Sequence, residues 1–295
     1  MCTCMSLTAQ HHFFGRTLDH DREHTSPVVV MPRHAPVAFR RAGTLCSHPA
    51  MIGTAAVIAG FPLFYDATNE HGLSMAGLNF PGLAQYHPPQ DGTDNITPFE
   101  LIPWVLSQCE TVQDARRLLS HLTVAAIPFS ARLPMTPLHW MLDDRHESVV
   151  IESAADGLHV YDNPVRVLTN SPAFPEQMAA LDDFRQSDRP LPGDYDSTPR
   201  FIRAAVVRHA CASDGDERDA VPHFMHMMAA VSPPRGMVRT DSGRLHFTRY
   251  TSCCDADTGV YYVSSYLDPA VRCASMHRVQ LDGRELTECP LEFFC

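Results

Sequence analysis

Short apolar runs separated by turn residues dominate the first third of the chain. The runs are CMSLTA, HHFFGR, VVVM, VAFRR, TAAVIAG, PLFYDA and GLSMAGLNF, and Pro, Gly and polar residues lie between them. Runs of this length predict β-strands, in a sheet that begins almost at residue 2. The apolar stretch 51–64 is broken by Gly60 and Pro62, so it predicts two buried strands around a turn and not a membrane span.

Two helices are predicted after these strands. Thr97, Pro98 and Glu100 have the spacing of a capping box with proline at the first helical position, ahead of LIPWVL. Pro103 is expected to shorten or kink that helix. The segment 111–122 carries its apolar residues on one helical face, which predicts the second helix.

The second half of the chain repeats the alternation of strands and helices. HWML, SVVIES, LHVYD and VRVLTN predict an antiparallel meander, and helices follow near 175–184, 199–211 and 222–231. RLHFTRYTSC, GVYYVSSYL and RCASMHRVQL predict three last strands. The order β, α, β, α, β predicts one α+β domain over residues 1–295 with antiparallel sheets, and disfavours a Rossmann fold.

Composition and charge narrow the possible partners. The chain has 295 residues, 44% of them hydrophobic and 19% charged, which is ordinary for a globular protein. Its 34 acidic and 23 basic residues give a formal charge of −11, so no nucleic-acid or membrane partner is expected. The first twenty residues lack a basic start and an apolar run, which is unlike a signal peptide and predicts a cytoplasmic protein.

Ten cysteines and seventeen histidines raise the question of disulfides or a metal. The cysteines are scattered over a long chain, which predicts that most are reduced thiols. The closest clusters are Cys2-x-Cys4, Cys253–Cys254 and His223-x-x-His226. None has the spacing of a structural zinc site, so no metal and no cofactor is expected. A non-catalytic Cys/His-rich metal or redox-binding module stays open as a second class of function.

The common catalytic motifs do not explain the chain. It has no GxGxxG, no Walker loop and no HExxH. GLSMAG at 72–77 nearly forms GxSxG, but Ala76 stands at the second glycine position, where the tight turn needs room. A Gly-bounded strand is therefore the better interpretation, and serine chemistry is not expected.

Cys2 directly follows the initiator methionine. Methionine aminopeptidases remove Met1 when the next side chain is small, so Cys2 is expected to become the first residue of the mature protein. A free α-amine titrates at about 7.7–8.0 and a free thiol near 8.5, so one residue would hold both nucleophile and base. Arg16 and Asp19 have the right chemistry to favour the thiolate and to hold the ammonium. On position alone, a cysteine near a terminus is usually incidental, and the Arg–Asp pair could be a surface salt bridge.

Five blocks of sequence add a family resemblance. MCT with FGRTLDHD, NEHGLSMAGLNFPG, VLTNSPAF, LPGDYDSTPRFIRA and YTSCCDADTGVYY follow one another over nearly the whole chain. Together they resemble the choloylglycine hydrolases, the family of bile salt hydrolases and penicillin V acylases. The resemblance implies an N-terminal-nucleophile hydrolase that cleaves linear amide C–N bonds without a cofactor, with a four-layer αββα sandwich fold.

The resemblance also implies roles for six residues. Cys2 matches the nucleophile, Arg16 the arginine beside the thiolate, and Asp19 the carboxylate that contacts the α-amine. Asn79 in GLNFPG and Asn170 in VLTNSP match the two asparagines that stabilise the tetrahedral oxyanion by side chain or backbone amide. Arg200 in STPRF matches a second active-site arginine that supports the charge network. From the residues alone, both asparagines could be turn residues and Arg200 an ordinary first-turn helix residue.

The resemblance favours glycine- or taurine-conjugated bile salts as substrates. Family members with asparagine in the LNFPG block tend toward bile salts, whereas penicillin V acylases often carry tyrosine there. Penicillin V and other N-acyl amides are the alternative. A steroid needs an apolar pocket of several hundred Å³, and the loops near 20–26, 58–65 and 128–138 could line one. The candidate lining residues, which could equally fill the core, are Phe61, Leu63, Phe64, Ile127, Phe129 and Leu133.

Two features depart from the family. Cys4 stands where the family usually has a small or apolar residue, and it shares a strand face with Cys2, which predicts sensitivity to oxidation, whether or not the two form a disulfide. The segment 171–199 is shorter than the family usually has, and in relatives this region includes an extension used in assembling the tetramer. The resemblance therefore implies a homo-oligomer but leaves its size open.

Overall fold

The computed structural model describes residues 1–21, 27–211, 219–240 and 243–292. Its two large β-sheets pack face to face, with helices on their outer sides. The strands are β1 Cys2–Thr8, β2 His12–His20, β3 Val28–Met31, β4 Val37–Phe39, β5 Gly43–Leu45, β6 Met51–Ile58, β7 Phe61–Asn69, β8 Ser74–Asn79, β9 Asp94–Ile96, β10 Leu122–Val124, β11 Leu138–Asp143, β12 Ser148–Ala154, β13 Gly157–Asp162, β14 Val167–Leu168, β15 Val238–Arg239, β16 Leu245–Asp255, β17 Val260–Ser265, β18 Arg272–Ser275 and β19 Thr287–Glu288. The helices are α1 Leu101–Leu106, α2 Val112–Leu119, α3 Phe174–Arg185, α4 Ser197–Cys211 and α5 Ala220–Ala229.

One sheet holds the start of the chain. Its strand order is β14-β1-β2-β16-β17-β18, and β15 pairs with β16. The other sheet has the order β13-β12-β11-β8-β7-β6-β3-β19. Both are antiparallel throughout, and a parallel pair, β9 with β10, lies outside them. The predicted α+β, four-layer αββα fold is confirmed.

The hydrophobic core follows the same layers. Helices α1 and α2 share a buried cluster with the eight-stranded sheet. Helices α3, α4 and α5 share a second cluster with β1 and β2, and this cluster extends to residues of β8 and β11 in the opposite sheet. The inner strands β1 and β2 are therefore buried on both faces, which explains why their sequences lack a clean alternation of polar and apolar residues.

The hairpin β6–β7 confirms the prediction made for the apolar stretch 51–64. Its two turn residues, Ala59 and Gly60, have φ angles of 51° and 78°. Positive φ at both positions is typical of the type I′ turn, whose twist matches that of the paired strands. The strands are less buried at the tip, where Val57 and Ile58 are exposed.

Two predicted elements differ in the structure. Helix α1 begins at Leu101, because residues 98–100 form a turn in place of the first helical turn. One half of the predicted capping box is present, since Thr97 N donates to the Glu100 carboxylate, but the Thr97 hydroxyl donates to the same carboxylate and does not accept from Glu100 N. The meander ends after β13, since β14 crosses to the other sheet and pairs with β1. Arg166, with a φ of 52°, lies in the turn that redirects the chain.

Two further expectations concern membranes and thiols. Within the described residues, no helix is long and apolar enough to cross a membrane. Eight of the described cysteines are free thiols, Cys2 and Cys4 among them, and Cys273 is disulfide-bonded. The prediction that most cysteines are reduced thiols agrees with this arrangement.

Candidate active site

Cys2 is the first residue of β1 and is buried, with 4% of its surface exposed. Its backbone nitrogen donates to Asn170 Oδ1 at 2.8 Å. Because Met1 precedes it in this structure, this nitrogen is an amide, and it is the atom that would become the α-amine on removal of Met1. The nucleophile predicted from the sequence therefore already has one partner that the sequence also singled out.

Arg200 joins the nucleophile strand to Asn170. It lies in the first turn of α4 and is fully buried. Its Nη2 donates to Asn170 Oδ1 at 2.7 Å, and its Nη1 donates to Cys2 O at 2.6 Å and to Thr3 Oγ1 at 2.7 Å. Burial lowers the pKa of this guanidinium. One buried cation thus fixes the backbone around Cys2 and the asparagine that contacts it.

Every polar group of Asn170, in its side chain and its backbone, makes a hydrogen bond. Its Nδ2 donates to Asn79 O at 2.7 Å, its N–H donates to Ser197 Oγ at 2.8 Å, and its carbonyl accepts from Gln177 Nε2 at 2.5 Å. Asn79, by contrast, is half-buried at the end of β8, and its side-chain amide has no hydrogen-bond partner within the described part of the chain. Of the two asparagines, Asn79 has the donor that is available to a ligand.

Arg16 lies on β2 opposite Cys4 and is fully buried. Its Nη1 donates to Tyr65 O at 2.9 Å and to Gly77 O at 2.6 Å, both in the opposite sheet. A β-bulge supplies the first of these acceptors, because Tyr65 is the extra residue where the β6–β7 register shifts. Burial alone would lower the pKa of Arg16, but the charges of Cys2, Tyr250 and Asp66 raise it above its ordinary value.

Asp66 lies behind Arg16, and the sequence did not single it out. Its carboxylate accepts from Tyr250 OH at 3.0 Å, from Tyr261 OH at 2.6 Å and from Ser252 Oγ at 3.3 Å. Burial raises the pKa of Asp66, and Arg16 opposes that change. No local motif marks this residue, because its partners come from β16 and β17, almost 200 positions away.

Asp19 is buried near the end of β2, and its carboxylate is half satisfied. Thr248 Oγ1 donates to Oδ1 at 2.7 Å, whereas Oδ2 is buried without a hydrogen-bond partner. Its backbone pairs with Met1, since Asp19 N donates to Met1 O at 3.1 Å and the Met1 amine donates to Asp19 O at 3.2 Å. Burial lowers the pKa of that amine, while the charges of Cys2 and Asp19 raise it.

His246 also contacts the start of the chain, and sequence reasoning missed it. Its Nε2 lies 2.6 Å from Asp19 O and 2.9 Å from the Met1 nitrogen. Burial, followed by the charge of the Met1 amine, lowers the pKa of this imidazole. The only sequence signal was its membership of a predicted strand, which does not separate it from the other histidines.

The apolar residues predicted to line a pocket are spread over different environments. Phe64 is buried in the core cluster that contains α1, so it is a core residue. Phe61 and Phe129 are half-buried, with ring centroids 6.2 Å apart, which brings the β6–β7 hairpin next to the loop after residue 126. Leu63 and Ile127 are half-buried and Leu133 is exposed. Of the loop predicted near 20–26, residues 22–26 lie outside the described residues.

Two large clefts lie along β16 and β17, with volumes of about 900 and 1090 Å³. None of the six predicted pocket residues lines either cleft. Tyr250 lines both, and Thr248 lines the larger one. Because Thr248 binds Asp19 and Tyr250 binds Asp66, the wall of the larger cleft is in direct contact with the candidate site.

Three further groups with reactive or metal-binding side chains are not part of the candidate site: Ser74, Cys4 and a cluster around His11. Ser74 is buried and its hydroxyl pairs with Thr68 Oγ1, as expected of a strand residue. Burial raises the pKa of the Cys4 thiol well above its ordinary value. Among the described residues, one group has the ligand spacing of a metal site, and it consists of His11, Asp255 and Asp257.

The fold and the position of Cys2 define a class of enzyme, and the sequence defines a family within it. A four-layer sandwich whose inner strand begins with a cysteine is the arrangement of an N-terminal-nucleophile hydrolase. Residues 2–288 match the family described as linear amide C–N hydrolases, choloylglycine hydrolase family. The chain belongs to this family and is a hydrolase of linear amide C–N bonds.

Relatives and solved structures agree with this assignment. A bile salt hydrolase/transferase of Lactiplantibacillus plantarum is 38% identical over 314 residues, which cover 99% of this chain and 97% of the relative. The crystal structure of a conjugated bile acid hydrolase variant from Clostridium perfringens matches with a TM-score of 0.90 and 29% identity, over 100% of this chain and 98% of the other. Penicillin V acylase from Agrobacterium tumefaciens shares the fold, with a TM-score of 0.82 and 21% identity over 97% of this chain and 90% of the other.

Proposed function

We propose that this protein is a bile salt hydrolase that cleaves the amide of glycine- or taurine-conjugated bile acids with Cys2 as nucleophile. The relatives named as bile salt hydrolases, which match nearly the whole chain, support the substrate class. The observation that carries the proposal is the convergence of Asn170 and Arg200 on the backbone of Cys2, at 2.6 to 2.8 Å. Removal of Met1 completes the site.

The first step exposes a base. Without Met1, the Cys2 nitrogen becomes an amine that keeps Asn170 Oδ1 as an acceptor. The same change removes the chain that now pairs with Asp19, whose Oδ2 is the unpaired buried acceptor of the site. The freed amine donates hydrogen bonds to this oxygen, and the ammonium that forms when the amine takes the thiol proton adds the charge that balances the carboxylate. The carboxylate and the amide oxygen would therefore orient the amine beside the thiol.

The second step forms and breaks the covalent bonds. The amine takes the thiol proton, and Sγ bonds to the carbonyl carbon of the substrate while the π electrons move to the oxygen. The free side-chain amide of Asn79 is the donor for that oxyanion. The C–N bond then breaks as the Cys2 ammonium protonates the leaving amine, and the deprotonated amine activates a water that hydrolyses the thioester.

Arg16 supports the thiolate in this scheme. It is fully buried and pairs across the strands with Cys4, which shares a strand face with Cys2, so its guanidinium lies on the same face of the sheet as the thiol. A buried cation close to a thiolate stabilises that thiolate. Asp66 and its hydroxyl donors balance the cation from behind. Arg200 fixes the Cys2 carbonyl and does not need to contact the reacting atoms.

The test is a direct assay of amide hydrolysis. Glycocholate, taurocholate and penicillin V are each incubated with the purified protein under reductant, and the released amine or acid is measured beside Cys2→Ala. The proposal expects glycine or taurine release by the wild type alone. Faster release from penicillin V would favour the alternative substrate class, and equal product from Cys2→Ala would remove Cys2 from the mechanism.

One competing class of function and two predictions from the sequence need their own tests. A metal or redox-binding module is the competing class of function, and a zinc adduct in the intact mass that a chelator removes would favour it. The cytoplasmic location stays a prediction, to be checked by fractionation of cells. The homo-oligomeric state also stays a prediction, to be measured by light scattering.

A further inference from the structure

His139 connects the two asparagine segments of the candidate site, although it touches neither asparagine side chain. It lies on β11 and is completely buried. Its ring stacks on Phe80, the residue after Asn79, with centroids 4.3 Å apart and planes 8° from parallel. Its Nε2 lies 2.9 Å from Thr169 O, the carbonyl just before Asn170.

The hydrogen-bond chemistry of His139 fixes where its protons are. A backbone carbonyl only accepts, so Nε2 carries a hydrogen and donates to Thr169 O. Nδ1 lies 3.0 Å from Glu152 Oε1, and one proton must lie between them. Glu152 Oε1 also accepts from Phe174 N at 3.0 Å, so the pair reaches the N-terminus of α3 as well. Both ring nitrogens therefore hold backbone groups, Nε2 directly at Thr169 and Nδ1 through the Glu152 carboxylate at Phe174.

We propose that His139, held by Glu152, is a positioning residue for catalysis that sets the distance between the Asn79 and Asn170 segments across the two sheets. The inference rests on the proposed function. Asn79 arrives on β8 in the eight-stranded sheet, whereas Asn170 follows β14 in the other sheet. Two segments from different sheets have no shared backbone ladder, so side-chain contacts must set their spacing. Two hydrogen bonds join the segments directly, Asn170 Nδ2 to Asn79 O and Ser171 Oγ to Pro81 O, both at 2.7 Å. His139 adds an indirect link through Phe80 and Thr169, the residues next to the two asparagines.

Substitutions separate the two contacts of the ring. His139→Phe keeps a flat ring on Phe80 and loses both hydrogen bonds, while His139→Gln keeps a donor of similar reach and loses the stack. A matched control is His12→Phe, because His12 is also buried and paired with a carboxylate, Asp143, at 2.6 Å. Its position opposite Thr8 lies six residue pairs along the β1–β2 ladder from Cys2, about 20 Å away at the rise of an extended strand.

The first measurement is steady-state hydrolysis of glycocholate, together with inhibition by the C24 aldehyde of cholic acid. The aldehyde forms a hemithioacetal whose oxygen stands where the oxyanion develops. His139→Phe is expected to lower kcat by about 10- to 100-fold with KM within about twofold, since small misplacements of catalytic groups cost about this much. The inhibition constant of the aldehyde should rise by the same factor. His12→Phe is expected to lower the melting temperature and leave both quantities unchanged per folded molecule.

Other outcomes overturn the inference. It fails if both His139 variants bind the aldehyde as the wild type does, or if the His12 control loses kcat to the same extent. Glu152→Gln, which is nearly isosteric, covers the case in which neither His139 variant folds, and an unchanged kcat and aldehyde affinity in that variant also overturns it.

A measurement that needs no activity separates this inference from the proposed function. Amide hydrogen exchange should be faster at residues 79, 80 and 167–171 in His139→Phe than in the wild type or in His12→Phe. Unchanged exchange there would refute the positioning role, whatever the substrate. Inactivity of the wild type on all three amides would refute the proposed function alone.

Discussion

Asn170 Oδ1 lies 2.8 Å from the backbone nitrogen of Cys2, although the two residues are 168 positions apart in the chain. The crossing of β14 to the sheet that holds β1 makes this contact possible, because the β1–β14 register, continued by two residues, brings residue 170 level with Cys2. Arg200 Nη2 donates to the same oxygen, so the side-chain amide of Asn170 is held in one orientation. The side chain of Asn170 is therefore placed to orient Cys2, the proposed nucleophile, and its amide nitrogen donates to Asn79 O.

We expect Asn170→Ala to lower kcat/KM for glycocholate by about 100-fold, because the amine of Cys2 loses the acceptor that orients it. The measurement is steady-state kinetics on the protein without Met1. Asn163→Ala is the matched control, since Asn163 is also a buried asparagine that donates to a backbone carbonyl, Val167 O, but has no contact with Cys2. A control that loses as much activity as Asn170→Ala would indicate a general loss of stability.

Asn79→Ala should act on kcat and leave KM nearly unchanged. Its side-chain amide is the unoccupied donor, and loss of one oxyanion donor commonly costs about 10²–10³ in rate. Single-turnover experiments would locate the loss in formation of the thioester. Wild-type turnover in this variant would remove Asn79 from the oxyanion site.

Arg16→Met should change the pH dependence of the reaction. A thiolate beside a buried cation is stabilised, so removing the cation requires a higher pH for the same fraction of thiolate. The rate at neutral pH therefore falls, and the acidic limb of the kcat/KM profile moves toward higher pH. An acidic limb that stays in place would mean that the guanidinium does not act on the sulfur. Asp66→Asn should not move the limb toward higher pH, because it leaves the cation in place and removes a negative charge that balances it.

The pocket prediction can be tested by two truncations of similar size. Phe129→Ala should raise KM for glycocholate several-fold if the hairpin β6–β7 and the neighbouring loop bind the steroid, because it removes apolar contact area. Met225 lines the larger cleft along β16 and β17, away from that hairpin, so Met225→Ala should leave KM unchanged. The reverse result would move the steroid site to that cleft.

Periodicity and turn residues predicted most of the strands and helices, because those signals are local. The strands β5, β9, β10, β15 and β19 were not predicted, since two or three residues are too few to show a period. The helix predicted over 111–122 was too long for the same reason, because α2 ends at Leu119 and Leu122 begins β10. The predicted first turn of α1 was also wrong, and Glu100 has a second partner, Arg40 N, that lies sixty residues earlier in the chain. Long-range contacts of this kind leave no mark in a short window of sequence.

The candidate site shows the same division. The family blocks singled out the six candidate residues. Hydrogen bonds join four of them, Cys2, Asn79, Asn170 and Arg200, while Arg16 interacts with Cys2 through its charge and Asp19 is linked through Met1. The supporting residues Asp66, His139 and His246 carried no motif. Each acts through partners from strands far away in sequence, so only the packed fold reveals them.

The central claim is that the freed amine of Cys2 takes part in the reaction, and turnover by separated protein forms tests it most directly. The purified protein is fractionated into molecules that retain Met1 and molecules that begin at Cys2, each form is verified by intact mass, and glycine release from glycocholate is measured for each. The account predicts that only the form that begins at Cys2 turns over. Equal turnover by the form that retains Met1 would contradict it.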